Sequence, residues 1–258
     1  MAYMTIKTLP NSVTFLDCIK TFAVIVMVID HIGFYFFPEL TWFRAIGRAC
    51  VPVWFFMAGY ANSREIPNKL WCGAFVLFAM DLFLFGNVFS LNALVTFILI
   101  RLSIDRFADV VLQSRYLFFL LSLILMLVYI PTNMVFEYGS HAFLLALLGY
   151  IVRHRDEVIE RTFVTQKNIY GFMLFLLIGF CAMQNVVFGF SQAQFIFMAA
   201  MSAAVIIVLS QMQPQKTIEI KGEPLKRVLQ FCGRKTLEIY VVHLIVFKVV
   251  IFVFLALK

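Results

Sequence analysis

At 258 residues the chain has the length of one domain, but 63% of it is hydrophobic and only 14% is charged; soluble domains are about half apolar and a quarter charged. With a mean hydropathy of +0.94 and 31 Phe, the composition excludes a soluble globular protein and makes lipid the solvent. The net charge of +7 implies no nucleic-acid partner, because the Lys and Arg residues sit in short links between apolar runs, where positive charge reports membrane orientation.

A membrane-spanning helix needs roughly 20 predominantly apolar residues. In chain order the sequence predicts nine such stretches: 13–37, 43–62, 70–90, 91–106, 115–131, 136–153, 169–189, 193–211 and 236–257. The fourth is short and holds Arg101 and Asp105. The first holds Asp17 and Lys20 with no A-x-A site after it, so it is expected to remain as a helix and not to be cleaved as a signal peptide. There is no internal repeat. The sizeable polar segment is 212–235, with Lys216, Lys221, Lys226, Arg227, Arg234 and Lys235. Cys18, Cys50, Cys72, Cys181 and Cys232 are scattered without a C-x-x-C or Cys/His cluster, so neither a disulfide framework nor a metal site is expected. The expected fold is all-α: one polytopic membrane bundle over 1–258, with about nine spans (eight to ten).

Orientation follows from the links. With a cytoplasmic N-terminus, the inner links hold Arg64, Lys69, Arg106, Arg115, Arg153, Arg155, Arg161, Lys167 and the six basic residues of 212–235. The outer links near 38–42, 88–92, 132–135 and 190–192 hold no Lys or Arg. Positive charge is retained inside, so the N-terminus is expected in the cytoplasm and, for nine spans, the C-terminus outside. An even count returns the C-terminus to the inside.

Ionisable residues within spans are costly and usually face a partner or a cavity. Asp30 and His31 lie about 17 residues from the inner end of the first span, roughly 25 Å up and in the outer third of the bilayer. Arg44 and Arg48, four apart on one helix face, begin the second span after a turn at Pro38. The four residues can therefore converge. A neutral His can take a proton from a nucleophile. An Asp–Arg pair neutralises two buried charges, and a second Arg remains to hold an anion or a developing oxyanion. A purely structural ion pair, with His31 a bystander, stands beside this reading with equal weight. Asp30 and His31 point about 100° apart on a helix, so Asp30 is not expected to orient His31.

Glu137 and His141, four apart at the outer end of the sixth stretch, either join this cluster or form a solvated interfacial pair. Asp81 and Arg101, at similar depth, are expected to form an interhelical ion pair. Tyr240 and His243 lie about two turns into the last stretch. His243 is either a packing residue or sits below the outer cluster, where a ligand reaching up from the cytoplasm passes.

Several of these motifs carry a family resemblance. The run ending Met27-Val28-Ile29-Asp30-His31, then Phe37-Pro38, then Arg44-Ala45-Ile46-Gly47-Arg48-Ala49-Cys50-Val51-Pro52, resembles the TraX family, membrane proteins associated with N-acetylation of conjugative pilin. Glu137-Tyr138-Gly139 resembles that family's Asp-Tyr-Gly element, with Glu for Asp. Tyr240-Val241-Val242-His243-Leu244 resembles its Tyr-Pro-x-His-x element without the Pro. The stretch Gly233 to Tyr240 is also similar to the last helix of the wider type-3 acyltransferases. The resemblance spans about residues 13 to 250.

It implies a multi-pass protein of the bacterial inner membrane that transfers acetyl from cytoplasmic acetyl-CoA to an amine or hydroxyl of an acceptor peptide or glycan. In that reading His31 is the catalytic base, with Asp30, Arg44 and Arg48 around it. Tyr240 and His243 serve the acyl-CoA, and Glu137 and Tyr138 the acceptor. The partners are then the lipid bilayer, acyl-CoA and the acceptor. Two rivals remain: a transporter or flippase, since buried Asp, His and Arg also build proton relays, and a non-catalytic assembly factor for a surface structure. No inverted repeat of the transporter kind is visible.

The link charges generate a topology test. A cysteine introduced at Thr132 should be labelled by a membrane-impermeant thiol reagent added to intact cells, and one introduced at Lys221 should be protected. Labelling at Lys221 without labelling at Thr132 overturns the orientation.

Overall fold

The computed structural model describes residues 12–86, 91–213, 217–220 and 222–257. Residues 87–90, which close the expected third span and open its outer link, lie outside the described residues, as do Lys216 and Lys221.

The chain folds as an all-α bundle. A two-residue strand β1 (Val13–Thr14) leads into α1 (Phe15–Phe36). Thr14 and Asp17 form a capping box: Asp17 N donates to Thr14 Oγ1 (3.1 Å) and Thr14 N donates to Asp17 Oδ2 (3.0 Å), which satisfies two helix-end donors reciprocally. There follow α2 (Trp42–Gly47), α3 (Cys50–Tyr60), α4 (Asn68–Phe85), α5 (Ala93–Val111), α6 (Arg115–Leu127) and α7 (Tyr129–Val135). Then come α8 (Gly139–Arg153), α9 (Arg155–Arg161), α10 (Gln166–Phe188) and α11 (Gln192–Ser210). A second short strand β2 (Thr217–Ile218) pairs antiparallel with β1, and α12 (Glu223–Arg234) and α13 (Thr236–Ala256) complete the chain.

Two of the nine expected stretches are broken, for one physical reason. Proline lacks the amide hydrogen, and its ring strikes the carbonyl four residues back. Pro52 places that conflict at Arg48, where the second stretch divides into α2 and α3. Pro131 places it at Leu127, where α6 ends and α7 leaves at 59°. Among the described residues, four helices can cross a membrane by length and composition: α4, α10, α11 and α13. The bent α6–α7 pair makes a fifth if it counts as one span. The figure of nine is thus not reached on those criteria. Helix α1 carries Asp17, Lys20 and Asp30, α5 carries Arg101, Asp105, Arg106 and Asp109, and α8 has only 15 residues.

Helix α8 is short because it belongs to the interior. Leu144, Leu145, Leu147, Leu148 and Ile151 are almost wholly buried. By contrast α10 exposes Leu174 and Ile178, and α13 exposes Val242, Val246 and Val253. An exposed apolar belt of this extent on long helices is a lipid-facing surface, and the chain is a membrane protein.

The core depends on a close crossing of α3 with α8. A Cβ on Gly59 would lie 1.8 Å from the Ala146 carbonyl oxygen, and one on Gly149 would lie 2.1 Å from that of Phe56. Small residues allow helix backbones to touch where no hydrophobic drive separates protein from solvent. Gly149→Ala should therefore lower the melting temperature in detergent, because overpacking costs about 1–3 kcal/mol even where side chains can yield, and here the obstacle is backbone. Gly171→Ala on α10, where nothing lies within 4 Å, should be neutral or gain about 1 kcal/mol from helix propensity. Equal melting temperatures for the two variants would refute the close crossing.

Candidate functional site

Asp30 is 2% exposed and is gripped from one side by α2. Arg44 Nη1 donates to Asp30 Oδ2 (2.7 Å) and to the Asp30 carbonyl (3.1 Å). Arg48 donates through Nε to Oδ1 (3.2 Å) and through Nη2 to Oδ2. The approach requires glycine at 47, since a Cβ there would meet Asp30 Cβ at 2.2 Å. Phe188 of α10 covers both cations, its ring centre 4.8 Å from Arg44 Cζ and 5.1 Å from Arg48 Cζ, and Tyr138 lies 5.6 Å from Arg48 Cζ. Two guanidiniums on one carboxylate leave the assembly with a net positive charge, distributed over aromatic faces that favour cations. The convergence expected of Asp30, Arg44 and Arg48 is present. The second Arg, expected to stay available for an anion, is instead bound to Asp30, because Arg44 in α2 and Arg48 at its C-cap are four apart on one face and present both guanidiniums to one carboxylate.

His31, one residue further round α1, faces α13. Its Nδ1 lies 2.7 Å from His243 Nε2, with the ring centres 5.0 Å apart. His243 Nδ1 lies 2.7 Å from the Ile239 carbonyl oxygen, and Tyr240 stands 6.0 Å from the His31 ring. His243, expected either as a packing residue or below the outer cluster, is brought by helix packing into contact with His31.

A cavity of about 430 Å³ opens beside these groups. Asp30, His31, Cys50, Tyr138 and Tyr240 line one part of it, Met27, Trp54, Phe55, Leu94 and Phe97 the apolar middle, and Lys20, Asn62, Arg101, Arg153 and Thr236 another part. Lys20 and His31 are eleven residues apart on α1, about 17 Å along the axis, so the cavity is elongated. Arg101 Nη1 donates to the Glu65 carbonyl, and Arg153 Nη2 donates to Asn62 Oδ1 (3.1 Å), so one loop gathers both guanidiniums at this mouth. Neither they nor Lys20 form an ion pair among the described residues. The Trp54 indole Nε1 is buried with no hydrogen-bond partner among the described residues.

Other candidates fall elsewhere. The Glu137 carboxylate accepts from Ala93 N (2.8 Å) and so caps α5, while its carbonyl accepts from Thr96 Oγ1 (2.9 Å). Tyr138 adopts φ 67°, the one positive φ outside glycine among the described residues, a strained conformation that holds its ring against Arg48 and the cavity. His141 does not join the cluster. It packs between Tyr129 and Phe180. Asp81 pairs with Lys248 of α13, not with Arg101. It lies one turn from the end of α4, whereas Arg101 lies two turns into the antiparallel α5, so the two differ in depth. Lys248 was legible as a lone cation within the last apolar stretch.

The sequence matches the family described as TraX protein over residues 15–251. An uncharacterised protein of Rickettsia prowazekii (strain Madrid E) is 32% identical over 145 residues, which are 56% of this chain and 58% of that relative. The match thus spans little more than half the length of the curated relative. No solved structure matches.

The buried charges predict a stability hierarchy. Asp30→Asn leaves two buried guanidiniums without a carboxylate, and breaking a buried pair costs about 3–5 kcal/mol. His31→Ala removes one imidazole ring. Folded yield and melting temperature in detergent should fall much further for Asp30→Asn; near-normal values for both would mean that the ion cluster does not hold α2 to α1.

Proposed function

The chain belongs to the TraX family, and from that membership together with the cavity joining a cationic mouth to His31 we propose that it is an integral membrane acyltransferase, taking an acetyl group from acetyl-CoA to an amine or hydroxyl acceptor, a peptide or a glycan. The cavity is the observation that carries this reading. Three cations without a carboxylate partner suit the phosphates of coenzyme A. The apolar middle suits an extended thioester arm, and the Trp54 N–H offers that arm a hydrogen bond it otherwise lacks. His31 stands about one arm's length from the mouth.

In the proposed reaction His31 accepts the proton of the acceptor N–H or O–H as that atom bonds to the thioester carbonyl carbon. The C–S bond then breaks, and the departing sulfur takes the proton back from His31. The products are acyl acceptor and free thiol, with no other reactant. The positive Asp30–Arg44–Arg48 assembly behind His31 favours the negative charge that grows on the carbonyl oxygen. Arg44 and Arg48 act there through space, each being bound to Asp30.

The bearing of the inner links supports a bacterial inner-membrane location with the N-terminus, the mouth and α12 at the cytoplasmic face. In this arrangement the broken α2–α3 segment and the charged or short helices α1, α5 and α8 complete nine crossings around the site. The acceptor then meets His31 from the outer side.

The test is acyl transfer by the purified protein in detergent, followed as thiol release from acetyl-CoA with candidate amines, peptides and glycans. His31→Gln should reduce turnover about 10²–10⁴-fold with folding and coenzyme A binding retained. Arg101→Gln and Arg153→Gln should raise KM for acetyl-CoA and leave kcat close to wild type. Ordinary turnover by His31→Gln would remove His31 from the chemistry.

A further inference from the structure

We infer that His243 is a positioning residue that determines which nitrogen of His31 carries its hydrogen, and that it does so under the direction of a backbone carbonyl.

The hydrogen positions follow from the far end of the chain of contacts. The Ile239 oxygen is a carbonyl and can only accept. It lies 2.7 Å from His243 Nδ1, so Nδ1 bears the hydrogen. A neutral imidazole has one N–H and one lone pair, which makes His243 Nε2 an acceptor. That lone pair lies 2.7 Å from His31 Nδ1, so His31 Nδ1 is the donor. His31 Nε2 then carries the lone pair, and it has no hydrogen-bond partner among the described residues, while His31 lines the cavity. Ile239 is four residues before His243 on α13, so its oxygen is held by the helix and cannot turn to offer a different arrangement.

The second ring nitrogen of a histidine is commonly oriented by a carboxylate or a carbonyl. Here the nearest carboxylate, Asp30, is occupied by Arg44 and Arg48 and faces away from the imidazole. The orienting role therefore passes to a second imidazole. This has a chemical consequence. A neutral partner accepts from the His31 N–H without adding negative charge beside the positive Arg cluster. When Nε2 takes a proton, the resulting imidazolium keeps its Nδ1–H on the His243 lone pair. Both nitrogens of His243 are engaged, so His243 cannot itself be the base. The role assigned to Nε2 rests on the acyl-transfer reading; the arrangement of hydrogens does not.

The test separates the two. The chain has four histidines, so 15N-histidine spectra of the protein in detergent can be assigned with His31→Gln and His243→Gln. At neutral pH both His31 and His243 should show hydrogen on Nδ1 and a lone pair on Nε2, the minor form of free histidine in water. In His243→Leu, His31 should revert to hydrogen on Nε2. In His243→Gln, an amide oxygen can replace the lost acceptor, and the Nδ1–H form of His31 should persist. Hydrogen on His31 Nε2 in the unaltered protein overturns the inference, whatever the variants do, so a misfolded His243→Leu leaves it testable. For turnover, His243→Leu should lower kcat roughly 10²-fold or more with KM for acetyl-CoA unchanged, and His243→Gln should recover most of it. Equal losses in Leu and Gln variants count against a positioning role. The expected spectra together with no acyl transfer from any acceptor would sink the acyltransferase reading and leave the histidine arrangement standing.

Discussion

A carboxylate that is 2% exposed inside an apolar bundle must be neutralised, because an isolated buried charge is prohibitively costly. Asp30 meets this requirement with two guanidiniums, Arg44 of the six-residue helix α2 and Arg48 at its C-cap. Much else follows. Helix α2 must lie flat against α1, so residue 47 must be glycine. The polypeptide must then turn at once into α3, and Pro52 supplies the break. The aromatic rings of Phe188 and Tyr138 cover the surplus positive charge from α10 and from the strained start of α8. One ion cluster thus ties four separate segments together.

Because Asp30 is consumed in this way, its neighbour His31 is left to α13. The two residues are adjacent in sequence but serve different interfaces, since successive side chains on a helix diverge by about 100°. The lower end of the same helix is secured by a second ion pair: Arg234 of α12 meets Asp17 (Nη2–Oδ2 3.2 Å), and Thr21 Oγ1 donates to the Leu229 carbonyl (3.1 Å). Helix α1 is therefore pinned by charge at both ends, and the cavity extends along the length between them. In the proposed acyl-transfer reading this rigid wall sets the separation between phosphates and thioester.

The membrane shapes the remaining helices. Long apolar helices such as α10 and α13 carry exposed Leu, Ile and Val to lipid, whereas α3 and α8 cross closely in the interior, where glycine permits backbone contact. The Lys248–Asp81 pair between α13 and α4 sets a charge against its opposite within the bundle, as the Asp30 cluster does.

Local composition is enough for the membrane class and for most of the apolar helices, because apolar runs of given length are local properties, but it does not show α12 inside the polar segment 212–235. It also marked Asp30, His31, Arg44 and Arg48, since buried ionisable residues stand out against an apolar background and a short turn brings them together. It assigned partners poorly wherever they came from distant segments. Sequence pattern matches Asp81 to Arg101 and not to Lys248, leaves His243 either a packing residue or below the outer cluster, and leaves His141 either in that cluster, which it does not touch, or in an interfacial pair. Glu137 was read as a binding group, yet its carboxylate caps α5. These pairings come from helix packing, which also gathers Lys20, Arg101 and Arg153 at one mouth. Periodicity states which face of a helix a residue occupies; which other helix meets that face, and at what depth, depends on crossing geometry and on breaks such as Pro52 and Pro131, whose direction no local pattern encodes.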